Sequence, residues 1–276
     1  MNVAVDQYAV MGNPIKHSKS PIIHALFAEQ TGERLRYEAL LVPTDGFGEA
    51  VELFYQDKGC GLNITVPFKQ DAWNAAERMT GRARRAGAVN TLWKDETGTL
   101  WGDTTDGVGL VRDLTENNGV TLSKKRVLIL GAGGAVRGVL EPILEQGSAE
   151  VVIANRTVSR AEELAKLFGE LGKVSACGFT EVEREFDVVI NGTSASLEGE
   201  CPPLPDSAIT AQTAVYDMMY GAGDTVFNSW AKSRGAEKVM DGLGMLVEQA
   251  AESFSIWRNK RPDTQPVIQM LRNELI

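Results

Sequence analysis

Cysteine, histidine and basic charge are all scarce in this chain of 276 residues. The three cysteines, Cys60, Cys177 and Cys201, are odd in number and far apart, without CxxC spacing, which excludes a disulfide framework and leaves isolated thiols. The two histidines, His17 and His24, have no cysteine or third histidine at ligand spacing, so no metal site is expected. Lys plus Arg number 28 against 37 Asp plus Glu, a formal charge of −9 that removes the broad basic surface nucleic acid requires. Any anionic ligand must then be held by local groups. No apolar run approaches a bilayer span, and the opening MNVAVDQYAV has neither a basic n-region nor a long apolar h-region. The expectation is a cytoplasmic protein without membrane contact.

What remains is ordinary globular composition, 43% hydrophobic and 24% charged, at a length that favours two domains over one. The first part alternates strand and helix: a strand at YAVMG, then SPIIHALFAEQTG with Ser20 as N-cap, Pro21 at the first helical position and a closing glycine. YEALLVP and GEAVELFYQDKG continue the pattern, QDAWNAAERM is helical, and AGAVNTLWKDETGTLWGDTTDG predicts a hairpin turning on DETG. Between them stands NITVPFK. Asn63 and Thr65 alternate there with Ile64 and Val66, Pro67 ends the strand, and Lys69 follows. The alternation predicts that Ile64 and Val66 face the core.

A boundary follows near residue 106, after which RVLIL, EVVIAN, FDVVING, AVYDMM and KVMDG form continuous apolar strands, the first two each followed by a helix. That is the mark of a parallel sheet covered on both faces, and the fold class is α/β. VLILGAGGAVRG places Gly131, Ala132, Gly133, Gly134 and Ala135 in the turn between a buried strand and a helix, where backbone N–H groups meet a pyrophosphate. Val136 occupies the third-glycine position, so the motif is a variant. The second strand ends without the carboxylate of an NAD site and carries Asn155, Arg156, Thr157 and Arg160 instead, with Ser159 capping the next helix. Guanidinium forks suit a 2′-phosphate, and NADP is the expected cofactor.

GNPIKHSKSP, NITVPFK, GAVNT, GDTTDGVG, GAGGA, NRT with a following Arg, YDMMY and DGLGMLVEQAA together resemble the bacterial shikimate dehydrogenase family, in order and over nearly the whole chain. The resemblance implies a substrate-binding domain, 1–105, completed by C-terminal helices at 243–276, facing a Rossmann-type NADP domain, 106–242, across a cleft. It implies reduction of 3-dehydroshikimate to shikimate, with Lys69 and Asp106 as the catalytic pair. Ser18 and Ser20 would hold the substrate carboxylate, with Tyr220 closing that end; Asn63, Thr65, Asn90, Asp106 and Gln249 would contact ring hydroxyls and the reacting centre. Gly131 to Ala135 would cradle the pyrophosphate, Asn155, Arg156, Thr157 and Arg160 would hold the adenosine phosphate, and Met218 and Gly242 would lie near the nicotinamide. Val136, Gly192, Ser196 and Met219 depart from the pattern. An NAD-using quinate/shikimate relative would carry an acidic residue after the second nucleotide-binding strand and Ser-x-Thr for the first serine pair; Arg156 and Ser-Lys-Ser disfavour it. A noncatalytic ligand sensor on the same fold would be signalled by loss of Lys69 or Asp106, and both are present. Monomer and homodimer are both left open.

Overall fold

The apolar runs fold into two separate six-stranded sheets in a computed structural model that describes residues 5–275. Two compact units result: residues up to Asp106 with Val247–Val267, and Gly107–Leu246 with the residues from Ile268 onward.

The first unit contains β1 (Asp6–Gly12), α1 (Ser20–Thr31), β2 (Leu35–Leu41), α2 (Phe47–Gln56), β3 (Gly59–Ile64), α3 (Lys69–Ala75), β4 (Arg78–Met79), α4 (Gly81–Ala86), β5 (Thr91–Lys94) and β6 (Leu100–Asp103). Its sheet runs β2-β1-β3-β5-β6-β4 and is mixed: β1 lies parallel to β2 and β3, while β5 is antiparallel to β3 and to β6. The predicted hairpin is therefore β5–β6. Met11, Leu62, Ile64, Phe68 and Leu92 build the core of this unit with Phe47 and Val51 of α2.

Three local expectations change. Lys19, not Ser20, occupies the N-cap of α1, so Ser20 is already helical and Pro21 is the second residue of the helix. β3 stops at Ile64, because Thr65 turns back to let the Phe68 N–H donate to its carbonyl at 3.0 Å. Val66 consequently points away from the core and is 65% exposed.

The second unit follows with α5 (Asp106–Arg112), continued by a π-helical turn at Asp113–Asn117, then β7 (Arg126–Leu130), α6 (Gly134–Glu145), β8 (Glu150–Ala154), α7 (Val158–Phe168), β9 (Val174–Cys177), β10 (Val188–Asn191), β11 (Ala214–Asp217), α8 (Val226–Ser233) and β12 (Lys238–Asp241). All neighbouring strands are parallel, in the order β12-β11-β10-β7-β8-β9. Starting from β7 and β8, this is the 3-2-1-4-5-6 order of a doubly wound dinucleotide-binding sheet, with the switch point between β7 and β10. β9 and α8 had no clear sequence signal. Thr157 rather than Ser159 stands at the N-cap of α7, and its side chain makes no capping bond.

α9 (Leu243–Arg258) and α10 (Gln265–Leu275) close the chain. In the first unit, the Trp257 indole of α9 lies so near Gly61 that an added Cβ would meet its Nε1 at 2.6 Å. Arg258 pairs there with Asp6 and Glu33. The residues from Ile268 onward, expected with the first unit, group with the second, where Arg272 forks onto Asp241 and donates to the Gly221 carbonyl at 3.2 Å.

Candidate active site

Lys69 opens α3 directly after the turn that ends NITVPFK, and Asp106 is the first residue of α5. Their side chains meet: Lys69 Nζ donates to Asp106 Oδ2 at 2.6 Å, with the two side chains 29% and 13% exposed. This leaves the ammonium reachable by a small molecule while its counter-ion is nearly enclosed. The other carboxylate oxygen, Oδ1, accepts from Asn90 Nδ2 at 2.9 Å. Asn90 is itself fixed, because its Oδ1 accepts the Thr105 backbone N–H at 2.9 Å and the Thr91 hydroxyl at 2.9 Å. A backbone donor sets which end of that amide faces Asp106. Gln249 Oε1 accepts from Asn90 Nδ2 at 3.3 Å, bringing α9 to the same point.

Asn63, buried on β3, takes the Tyr37 hydroxyl proton at 2.7 Å on Oδ1 and donates through Nδ2 to Ser253 Oγ at 2.9 Å. Ser18 and Ser20 lie together at the start of α1, with the Ser20 N–H donating to Ser18 Oγ at 3.3 Å. Burial pushes the Tyr37 phenol, which holds Asn63, well above its usual range, and the Ser20 hydroxyl partly opposes this. Thr65 is half-buried just past β3, its N–H bonded to the Met11 carbonyl at 3.0 Å. Ser18, Ser20, Asn63, Thr65, Lys69, Asn90, Asp106 and Gln249 thus all belong to the first unit. Tyr220 belongs to the second, where burial and the Asp241 charge raise its phenol.

In the second unit the glycine-rich turn follows β7. Gly131 has φ +103°, a left-handed conformation that favours glycine, and a Cβ there would meet Thr193 Cγ2 at 3.2 Å. Gly133 and Gly134 have open space where a side chain would stand, so the backbone ahead of α6 is bare, as close approach of a pyrophosphate needs. At the end of β8, Asn155 anchors itself by donating Nδ2 to the Thr157 carbonyl at 2.8 Å, and Arg156, Thr157 and Arg160 are exposed. Neither arginine has an ion-pair partner among the described residues. The residues therefore fit a phosphorylated dinucleotide: bare backbone at the switch point and free guanidiniums one strand away.

Three of the four departures from the family pattern, at Val136, Gly192 and Ser196, have local explanations. A Cβ on Gly192 would meet Val136 Cγ2 at 2.5 Å, so the larger side chain at 136 and the missing methyl at 192 accommodate each other. Ser196 Oγ donates to Asp217 Oδ2 at 2.7 Å, tying the loop after β10 to the end of β11. Met218 and Gly242 are packed together, since any side chain at 242 would run into the Met218 carbonyl. Tyr37, Thr91 and Ser253 carried no functional reading in the sequence; they lie far apart in the chain and gather only in the fold.

A doubly wound parallel sheet with a bare glycine turn at its switch point defines a dinucleotide-binding α/β protein of the Rossmann type. The chain belongs to the shikimate dehydrogenase family: the family described as shikimate dehydrogenase substrate binding domain matches residues 10–92, shikimate / quinate 5-dehydrogenase matches residues 113–198, and shikimate 5'-dehydrogenase C-terminal domain matches residues 242–272. It is 58% identical to the shikimate dehydrogenase (NADP(+)) of Hahella chejuensis over 97% of this chain and 99% of that one. The Alkalilimnicola ehrlichii protein of the same name is 60% identical over 98% and 99% of the two chains. Among solved structures, shikimate 5-dehydrogenase from Thermus thermophilus in complex with NADP(H) and shikimate superposes with a TM-score of 0.88, at 34% identity over 98% of this chain and 100% of that one.

Proposed function

We propose that this chain is an oxidoreductase that catalyses the reversible NADPH-dependent reduction of 3-dehydroshikimate to shikimate, a step toward chorismate and the aromatic amino acids. The observation that carries the reading is the 2.6 Å Lys69–Asp106 pair, braced by Asn90. It sits in a chain whose relatives are named for this reaction.

When bound, NADPH supplies the hydride to the carbonyl carbon. Negative charge then grows on the carbonyl oxygen, and a positioned proton donor lowers that barrier. The Lys69–Asp106 pair provides the proton, with Asp106 orienting the ammonium toward the oxygen. Ser18 and Ser20 hold the substrate carboxylate together with Tyr220, while Asn63, Thr65, Asn90 and Gln249 recognise the ring hydroxyls. On the cofactor side, Gly131 to Ala135 would cradle the pyrophosphate, and Asn155, Arg156, Thr157 and Arg160 would take the adenosine phosphate. Met218 and Gly242 would lie near the nicotinamide. The first unit is then the substrate-binding part and the second the NADP-binding part. The partners are small molecules, for which an acidic protein with locally placed cations is suited, and the reaction belongs in the cytoplasm.

Purified protein given shikimate and NADP should form NADPH at a readily measured rate. Lys69→Ala should lower kcat by about a hundredfold or more, the usual size of a lost general acid, with a much smaller change in shikimate binding. Absence of turnover in the parent would refute the function. A variant with parental kcat would remove Lys69 from the chemistry.

A further inference from the structure

Behind the residues that face the substrate, the buried hydrogen bonds of the first unit run in one direction. We propose that Tyr37, Ser253 and Thr91 are positioning residues in a one-way hydrogen-bond chain that links ring recognition at Asn63 to the Lys69–Asp106 pair; this rests on the functional reading above.

Two backbone groups fix the sense of the chain. Asn63 Nδ2 lies 3.2 Å from the Asn90 carbonyl, which only accepts, so that nitrogen carries the protons and Oδ1 must accept from Tyr37. Asn90 Oδ1 accepts the Thr105 N–H, so Asn90 Nδ2 must face Asp106. Between these ends stand two hydroxyls, Ser253 and Thr91, 2.7 Å apart and both wholly buried. Ser253 Oγ accepts from Asn63 Nδ2 at 2.9 Å, and Thr91 Oγ1 donates to Asn90 Oδ1 at 2.9 Å. Thr91 has a single proton, so Ser253 donates across the 2.7 Å contact; its other partners, the Gln249 carbonyl at 3.2 Å and the Thr105 hydroxyl at 3.3 Å, are farther.

Every donor in the series then points toward Asp106: Tyr37 to Asn63, Asn63 to Ser253, Ser253 to Thr91, Thr91 to Asn90 and Asn90 to the carboxylate. Head-to-tail hydrogen bonds in a buried setting polarise one another, so the last bond, onto the catalytic carboxylate, is strengthened by those before it. Loss of Ser253 takes from Asn63 its nearest hydroxyl acceptor and leaves Thr91 without the donor behind it, whereas loss of Thr91 takes from Asn90 a donor that holds its face toward Asp106. Substrate bound at Asn63 is thereby coupled to the alignment of the proton donor, through residues that the substrate itself does not touch.

The test is a KM-against-kcat split with a double-mutant cycle. Ser253→Ala and Tyr37→Phe should each lower kcat for shikimate about tenfold, the cost of one cooperative buried hydrogen bond, with KM for NADP unchanged. In one continuous chain the second break adds little, so the double variant should fall well short of the product of the two single effects. Thr91→Val, close in size to the parent residue, cuts the same chain at the next hydroxyl and should give the Ser253→Ala phenotype; it replaces that variant if Ser253→Ala does not fold. An active parent whose variants keep its kcat, or whose single effects multiply, overturns this inference alone. A parent inactive on shikimate overturns the functional reading together with it.

Discussion

His24 is wholly buried, yet neither ring nitrogen has a hydrogen-bond partner among the described residues. Its ring stacks on Tyr37 at a centroid distance of 4.2 Å and an interplanar angle of 4°, and Phe27 meets its edge. Burial lowers its pKa from 6.5 to about 3, only partly opposed by the Asn63 side chain. The ring therefore stays neutral in the folded protein and takes up a proton on unfolding at mildly acidic pH. A depressed histidine pKa leaves stability intact above about pH 6.5 and erodes it as pH falls toward 3. From pH 7 to pH 5 the loss from this one group should be about 2 kcal/mol, at about 1.4 kcal/mol per pH unit below the unfolded pKa. Urea unfolding at the two pH values should show that loss in the parent and a correspondingly smaller one in His24→Phe. Equal losses in both would mean the ring is not held neutral. Nothing in the sequence around His24 announces this: its neighbours in the chain say only that it is no metal ligand, and its stacking partner lies on another element.

At the scale of elements, α6 and the loop after β10 fit through a pair of complementary departures, Val136 and Gly192. Val136 is wholly buried and cannot swing aside, so a methyl at 192 has no room. Gly192→Ala should destabilise the protein by about 1 to 3 kcal/mol, the usual cost of overpacking, and weaken NADP binding. Val136→Ala in the same background should recover much of both, so that the double variant is more stable than the sum of its singles. Thermal melts and NADP titration of the four proteins check this; strictly additive effects would show that the two residues do not share the space. Elements were unevenly legible. The buried strands of the second sheet and the β5–β6 hairpin were plain in the sequence, because burial on both faces and a DETG turn leave strong patterns. β9 and α8 were not, since β9, VSAC, is only half-buried and has no continuous apolar run, and an eight-residue helix carries too few positions to show a period. The end of β3 was misjudged by two residues for a related reason: alternation through Val66 continues beyond the point where the turn at Thr65 breaks the ladder.

Taken whole, the molecule carries a formal charge of −9, yet the proposed function asks it to hold a phosphorylated cofactor. Cations at one place answer this, and Arg156 and Arg160 stand exposed after β8, without an ion-pair partner among the described residues. Arg156→Ala should raise KM for NADP about ten- to a hundredfold, the value of a lost charge-assisted phosphate contact, while KM for NAD changes little. Equal effects on both cofactors would move the 2′-phosphate away from this residue. The sequence by itself determined the fold class, the nucleotide half and its expected phosphate preference, from local patterns: apolar runs that demand burial, a glycine turn that demands bare backbone, and a missing carboxylate that admits a phosphate. Which polar residues to examine came from the resemblance to a family, not from their spacing. The tertiary structure alone decided that Lys69 and Asp106 touch, that Asn90 braces the carboxylate, and that Tyr37, Thr91 and Ser253 stand behind them. Those residues come from β2, α3, β5 and the position just before it, α5 and α9, separated by up to 216 positions between Tyr37 and Ser253. Hydrogen bonds of that reach leave no period or spacing in the chain, because they are formed by the packing of one sheet against its helices.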